Sequence, residues 1–240
     1  MGRGNPHPQR YKEGKLTDTI STDVFETFLK RAKQLEEERS NRTQEILSRS
    51  LPCRVKNVDI RSLITILYWT GLRISEVVGD ISRKYRVKNG VRISEPVRGL
   101  MRRDFTILKD YLMMEPKVVR KHGKRKEPLW MKLDMMGVPH LVEFLETLHE
   151  DEALFQISKK TAWSLVKEVA WLEVELKDGI AIRRFYPHWF RLNRATQFAR
   201  DPMVGIIHLK EWFGWRDPRT IEKYLGEAGR VTQAMANRMK

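Results

Sequence analysis

LITILYWTGLRISE, residues 63–76, sets an apolar run against a Thr-Gly turn and an arginine. Leu63, Ile64 and Leu67, with Ile60 just before them, are apolar enough to place this helix in the core rather than on it. Asp59 stands where it can cap the first turn. Arg73 follows the Thr70-Gly71 turn at once, with Glu76 three residues on. The core helix is therefore expected to end by holding a cation, as a buried charge, at a chosen point.

Upstream, Val24, Phe25, Phe28, Leu29, Ala32 and Leu35 recur at helical spacing behind a cap within Ser21 to Asp23, which predicts an amphipathic helix to about Glu38. Residues 39–57 are polar and broken by Pro52, and residues 1–16 form a Gly, Pro, Arg and Lys rich basic arm with almost nothing to bury. Downstream, YRVKNGVRIS reads as two short strands joined at Asn89-Gly90, a pair that tolerates the positive φ of a tight hairpin. FTILKDYLMM, KVVRK and EPLWM, within 105–131, carry the β-branched and aromatic residues of a small sheet, with KHGKRK as its basic tip. A helix is expected from Pro139, using Leu141, Val142, Leu145 and Leu148. A longer one uses Ala162, Leu165, Val166, Val169, Leu172 and Leu176 and stops before Gly179. Three short helical segments follow at about 189–200, 203–213 and 218–225, the last opened by Asp217-Pro218. The predicted architecture is mainly α with a small antiparallel β-sheet, an α+β domain.

Composition narrows the partner. The 240 residues hold 46 Lys+Arg against 31 Asp+Glu, a formal net charge of +15, and a field of that sign attracts phosphate chains. The single cysteine, Cys53, excludes an internal disulfide framework and a cysteine-based metal site, and the six histidines repeat no metal-ligand spacing. No apolar run approaches the roughly 18 residues of a membrane span, and the start MGRGNPHPQRYKEGK lacks a secretory core. The expected protein is soluble, cytoplasmic and free of metal and cofactor.

Four features carry chemistry: Arg73; YPHWFRLNRAT, residues 186–196, with His188 and Arg191 three apart and on one face if the helix begins at or before His188; WFGWRDPRTIEKY, with Trp215 nine residues before Tyr224; and the lysine-rich tip. Arginine forks bind non-bridging phosphate oxygens and neutralise charge growing in a five-coordinate phosphoryl transition state. A tyrosine relieved of its proton is a covalent nucleophile, and a lysine among positive charges can protonate a leaving oxygen. No carboxylate cluster suits a two-metal mechanism, so the arginines would take the place of the ions. The set fits phosphodiester transfer through a phosphotyrosine link.

These boxes resemble the tyrosine recombinase family, of the phage-integrase type, over about residues 17–226. TGLRISE is similar to the family's first arginine box, PHWFRLNRAT to its His-x-x-Arg box as far as Ala195-Thr196, and WFGW stands where Leu-Leu-Gly-His is usual. The resemblance implies the catalytic set Arg73, Lys121, His188, Arg191, Trp215 and Tyr224. Lys124 is the alternative to Lys121, because one residue of slip in a hairpin changes which side chain points at the DNA. Arg120, Arg125, Lys126 and Arg194 would contact the DNA backbone. The implied activity is site-specific recombination or integration through a 3′-phosphotyrosyl intermediate, as in a mobile element, with double-stranded DNA as partner. The assembly would be a homotetramer on DNA and a monomer or weak oligomer without it, with the tail 227–240 a candidate for exchange between subunits. A type IB topoisomerase shares this chemistry, and a non-cleaving DNA-binding accessory protein is the reading from another class.

Two features depart from the family pattern. GVRISE, residues 90–95, nearly repeats the first box, which makes Arg92 an alternative to Arg73. Arg73 is preferred because only it follows a rigid apolar helix, and placement errors of about an ångström are costly in catalysis; residues 79–98 then read as an insertion. The second departure is length: few residues precede the first helix, where family members carry a DNA-clamping domain, so the chain is a natural minimal form or a fragment.

Overall fold

The computed structural model describes residues 20–48, 58–88, 91–115, 128–176, 179–201 and 203–215. The order is α1 (Thr22–Ser48), α2 (Ile60–Thr70), α3 (Ile74–Val77), β1 (Asp80–Lys88), β2 (Val91–Val97), β3 (Phe105–Ile107), β4 (Tyr111–Met114), β5 (Leu129–Lys132), α4 (Val138–Glu146), α5 (Lys159–Val169), β6 (Trp171–Leu176), β7 (Gly179–Arg184), α6 (Pro187–Arg200) and α7 (Ile206–Phe213). Asp59 caps α2 by accepting from the Ser62 amide at 2.7 Å, and Gly71 ends it in the left-handed conformation. Ile60, Leu63, Ile64, Ile66 and Leu67 are fully buried, and α2 packs against α1, α4, α5 and α6 as the axis of the core. Phe25 of α1 stacks on Tyr68 at 3.8 Å, and Phe28 meets Phe190 of α6 at 6.2 Å.

The mainly α architecture with small antiparallel sheets agrees with expectation, but its details differ. Besides the expected strand pair β1-β2 and the small sheet β3-β4-β5, the described residues form a third, two-stranded sheet, β6-β7. FTILKDYLMM splits into β3 and β4 at a turn closed by Leu108 N donating to Tyr111 O at 2.8 Å, because Lys109-Asp110 interrupts the apolar alternation. The long helix expected through Leu176 stops at Val169. Leu172 and Leu176 are four apart, which suits a helix, yet Leu172, Val174 and Leu176 also alternate with Trp171, Glu173 and Glu175, and it is the strand period that pairs with β7. Helix α1 continues past Glu38 to Ser48 on good helix formers such as Arg, Gln and Glu, with Thr43 donating back to the Arg39 carbonyl at 2.8 Å. The segments KVVRK and 218–225, the arm 1–16 and the tail 227–240 lie outside the described residues.

The hairpin β1-β2 leaves the core and returns to nearly the same point. Leu100 N donates to Val77 O at 2.9 Å, and a Cβ on Gly99 would sit 2.6 Å from the Gly79 amide nitrogen and the Val77 carbonyl oxygen. Backbone meets backbone there, so the two feet of the hairpin close only with glycine at 99.

Three polar side chains pin the start of α2. Glu36 accepts from the Ile60 and Arg61 amides at 2.6 and 2.8 Å and pairs with Arg61 Nε at 2.7 Å; His140 of α4 meets Asp59 at 2.8 Å and Glu143 at 3.6 Å. Burial pushes the Glu36 carboxyl up. Burial works the same way on Asp59, but the His140 and Ser62 hydrogen bonds outweigh it and hold this carboxyl down. The Asp59 hydrogen bond raises the His140 imidazole against its own partial burial.

A raised histidine pKa contributes stability that is complete below the unfolded value and is lost as pH rises through the folded one; a depressed carboxyl contributes above its unfolded value and is lost as pH falls. The His140–Asp59 pair is thus strongest between the ordinary carboxylate and histidine values, about pH 4 to 6.5. His140→Ala is expected to cost about 1–3 kcal/mol near pH 6, with the deficit shrinking toward pH 9. Urea denaturation at both values checks this; a deficit that does not change with pH would show packing, not the ion pair.

Candidate active site

Three remote segments meet at the turn that ends α2. Arg191, on α6, donates from Nη1 to the Gly71 carbonyl at 2.9 Å and from Nη2 to the Phe213 carbonyl, while Trp212 Nε1 donates to the Thr70 carbonyl at 2.8 Å. The Thr-Gly turn is therefore held from both sides, by α6 and by α7. Gly71 has φ +60°, and a Cβ there would come within 3.0 Å of Arg194 Cβ and Phe213 Cε1, so close approach and backbone conformation both require glycine. Arg191 is only 3 % exposed, and its guanidinium lies 4.8 Å from the Phe213 ring and 6.0 Å from the Trp215 ring.

Arg73 leaves this turn toward solvent. Its amide donates to Glu76 Oε2 at 2.8 Å and its Nη1 lies 3.3 Å from Glu76 Oε1. Its side chain is 48 % exposed, so the charge expected to be buried is presented openly; the buried partner is Glu76, which orients it. His188 is reached because α6 begins at Pro187, one residue before it, which puts His188 and Arg191 on one face.

Arg73, His188 and Arg191 line one cleft of about 190 Å³, with Ile74, Ser75 and Pro187 in its wall and Trp163 of α5 at its side. The His188 imidazole is open to water on one side, yet desolvation on the other, then the charges of Arg191 and Arg73, hold its pKa below the ordinary value. It is accordingly neutral at pH 7, the form that can accept a proton. Two guanidinium groups and a neutral imidazole lining one small cleft suit the binding of a phosphate-like oxyanion, with the imidazole free to accept a proton.

The other candidates fall elsewhere. Trp215 stacks on Phe213 at 4.7 Å, behind Arg191. Arg194 lies 5.4 Å from the Trp69 ring and 4.2 Å from the Phe198 ring, donates to Gln197 at 2.9 Å, and has its pKa lowered to about 10 by burial; it does not line the cleft, and its packing is that of a core-edge arginine. Arg92 sits on β2 opposite Val87, and its side chain lies outside what is described. Tyr224, Lys121, Lys124, Arg120, Arg125 and Lys126 lie outside the described residues. Trp163 was not anticipated, though a signal existed: it stands off the apolar stripe Ala162, Leu165, Val166 and Val169 that buries α5. Among the described residues no group of three or more His, Cys, Asp or Glu side chains is placed to hold a metal ion, and no helix is long and apolar enough to cross a membrane.

One solved structure, the XerH site-specific recombinase bound to palindromic difH substrate in a post-cleavage complex, matches 94 % of this chain with a TM-score of 0.50 at 16 % identity. The fold is shared with a site-specific recombinase. A pre-cleavage complex of XerH with difH substrate gives a TM-score of 0.48 at 16 % identity over 88 % of this chain, and the XerA recombinase 0.48 at 14 % over 91 %. This chain spans 51 to 64 % of the length of those proteins. No family model and no curated protein matches the sequence.

Proposed function

We propose that the protein is a DNA strand transferase of the tyrosine recombinase type, acting in site-specific recombination or integration. The observation that carries this reading is the convergence of Arg73 with His188 and Arg191 in one cleft, although they belong to separate sequence boxes. Arg73 and Arg191 hold the non-bridging oxygens of a backbone phosphate. The Tyr224 oxygen attacks phosphorus and gives its proton to the neutral His188; the bond from phosphorus to the 5′ oxygen breaks, and Lys121 returns a proton to that oxygen, with Lys124 as the alternative donor. The product is a 3′-phosphotyrosyl link and a free 5′-hydroxyl, and rejoining runs the same steps backward. The bond energy is kept in the link, so the cycle needs neither ATP nor a metal.

In this reading the hairpin 79–98 is an insertion within a catalytic domain spanning 17–226, supported by its return to the point where it left the core. The basic arm 1–16 and Arg120, Arg125 and Lys126 add backbone contacts, and the assembly on two DNA sites is a tetramer that exchanges the tail 227–240.

A pool of nicked duplexes with randomised arms, in which the short 5′-hydroxyl fragment escapes after cleavage, tests this. A protein–DNA adduct on a denaturing gel is expected, and Tyr224→Phe should abolish it. No adduct with the wild-type protein would support a non-cleaving DNA-binding role instead, and an adduct that survives Tyr224→Phe would reassign the nucleophile.

A further inference from the structure

Trp163 is an aromatic side chain left 38 % exposed at the side of a cleft whose charged groups are the guanidinium ions of Arg73 and Arg191. Its position is built, not incidental. Ala162, Leu165, Val166 and Val169 form the buried face of α5 and fix the helix rotation, which leaves residue 163 on the flank of that stripe, part covered and part open. Tyr186, the residue before α6, stacks against the Trp163 ring at 5.7 Å and 22°, and Lys167 Nζ lies 5.5 Å from the Tyr186 ring. The result is a cation–aromatic–aromatic ladder that holds the indole beside His188 and Arg73.

An apolar ring next to phosphate-binding groups matches the two parts of a nucleotide, the anionic link and the flat base. We propose that Trp163 forms a nucleobase-stacking subsite, taking the base of the nucleotide next to the phosphate held by Arg73 and Arg191. This rests on the phosphoryl-transfer reading of the same cleft. Such a platform is tolerant of base identity, since every base has a π-face, so it fixes where the nucleotide sits rather than which one it is. It is also open to a base only where that base can leave its neighbours, as at a nick.

The test uses the full chain and two nicked duplexes that differ only in whether the nucleotide at the nick carries a base or is abasic. Affinity is read by fluorescence anisotropy. The wild-type protein is expected to bind the base-containing duplex about ten- to a hundredfold more tightly, the range of one base–aromatic stack. Trp163→Ala should bind both duplexes alike, at the level of the wild-type protein on the abasic one, and Trp163→Phe should keep most of the preference. Trp163→Leu separates stacking from apolar cover: a leucine that preserves the full preference overturns the subsite, as does a wild-type protein with no preference. Either result leaves the strand-transfer reading intact if the adduct still forms, whereas loss of the adduct in the wild-type protein sinks that reading independently.

Discussion

Arg191→Ala is expected to cost about 3–5 kcal/mol of stability and to lower adduct formation by about 10²–10³-fold, the larger of the two structural losses at this site. The side chain is almost fully buried, and it ties the Gly71 carbonyl to the Phe213 carbonyl while standing against two aromatic rings. Truncation leaves both carbonyls short of a charged donor and opens a cavity between α6 and α7. A charge-assisted bond is worth about 1.5–3 kcal/mol when its partner would otherwise be buried alone, which is how two bonds reach the stated total.

Arg191→Lys separates the contributions. A lysine restores the charge but not the planar fork that reaches two carbonyls at once, so it should recover a minority of the stability and little of the rate. Denaturant titration gives the first quantity and adduct yield per folded molecule gives the second. A stability loss below about 1 kcal/mol for the alanine variant would mean that the turn holds itself without the arginine.

The legible part of this molecule was the part whose chemistry is local. Asp59 and Gly71 bounded α2 because caps act within one turn, and the strands read in YRVKNGVRIS pair as β1 and β2 as far as Lys88 and Val91. The position of His188 and Arg191 on one face followed from their spacing once α6 began at Pro187. What could not be read locally was decided by partners elsewhere in the chain. Leu172 and Leu176 satisfied both periods until β7 supplied a strand to pair with. Arg194 was expected to contact the DNA backbone, and the positions of Trp69 and Phe198 around it, which place it at the core edge, could not be read from its own box. The buried end expected for α2 was half right: the turn is buried under α6 and α7, but the Glu76 carboxylate took the interior and sent Arg73 outward.

Arg73→Ala provides the sharpest separation of chemistry from stability. Its side chain is half exposed, and the structural task at this corner is performed by its backbone amide, which Glu76 accepts whatever side chain residue 73 carries. The stability change is therefore expected to stay within about 1 kcal/mol, the range of an exposed ion pair. Adduct formation, by contrast, should fall by about 10²–10³-fold under the proposed reaction, in which the Arg73 guanidinium would act where charge develops in the transition state. Arg92→Ala should leave adduct formation within about twofold if the near-copy of the box has no part in the chemistry, since Arg92 stands on a hairpin whose strands rise from Gly79 and Gly99 rather than from the clamped turn. The two variants are compared on the same nicked pool, with yields corrected for folded protein. A collapse with Arg92→Ala and an active Arg73→Ala would transfer the first arginine to the hairpin, and the cleft of Arg73, His188 and Arg191 would then be an anion site without the reaction. Equal, partial losses would instead mean that both arginines serve DNA binding, which a parallel drop in the salt dependence of affinity for each variant would reveal, each phosphate contact removed taking about one unit from the slope.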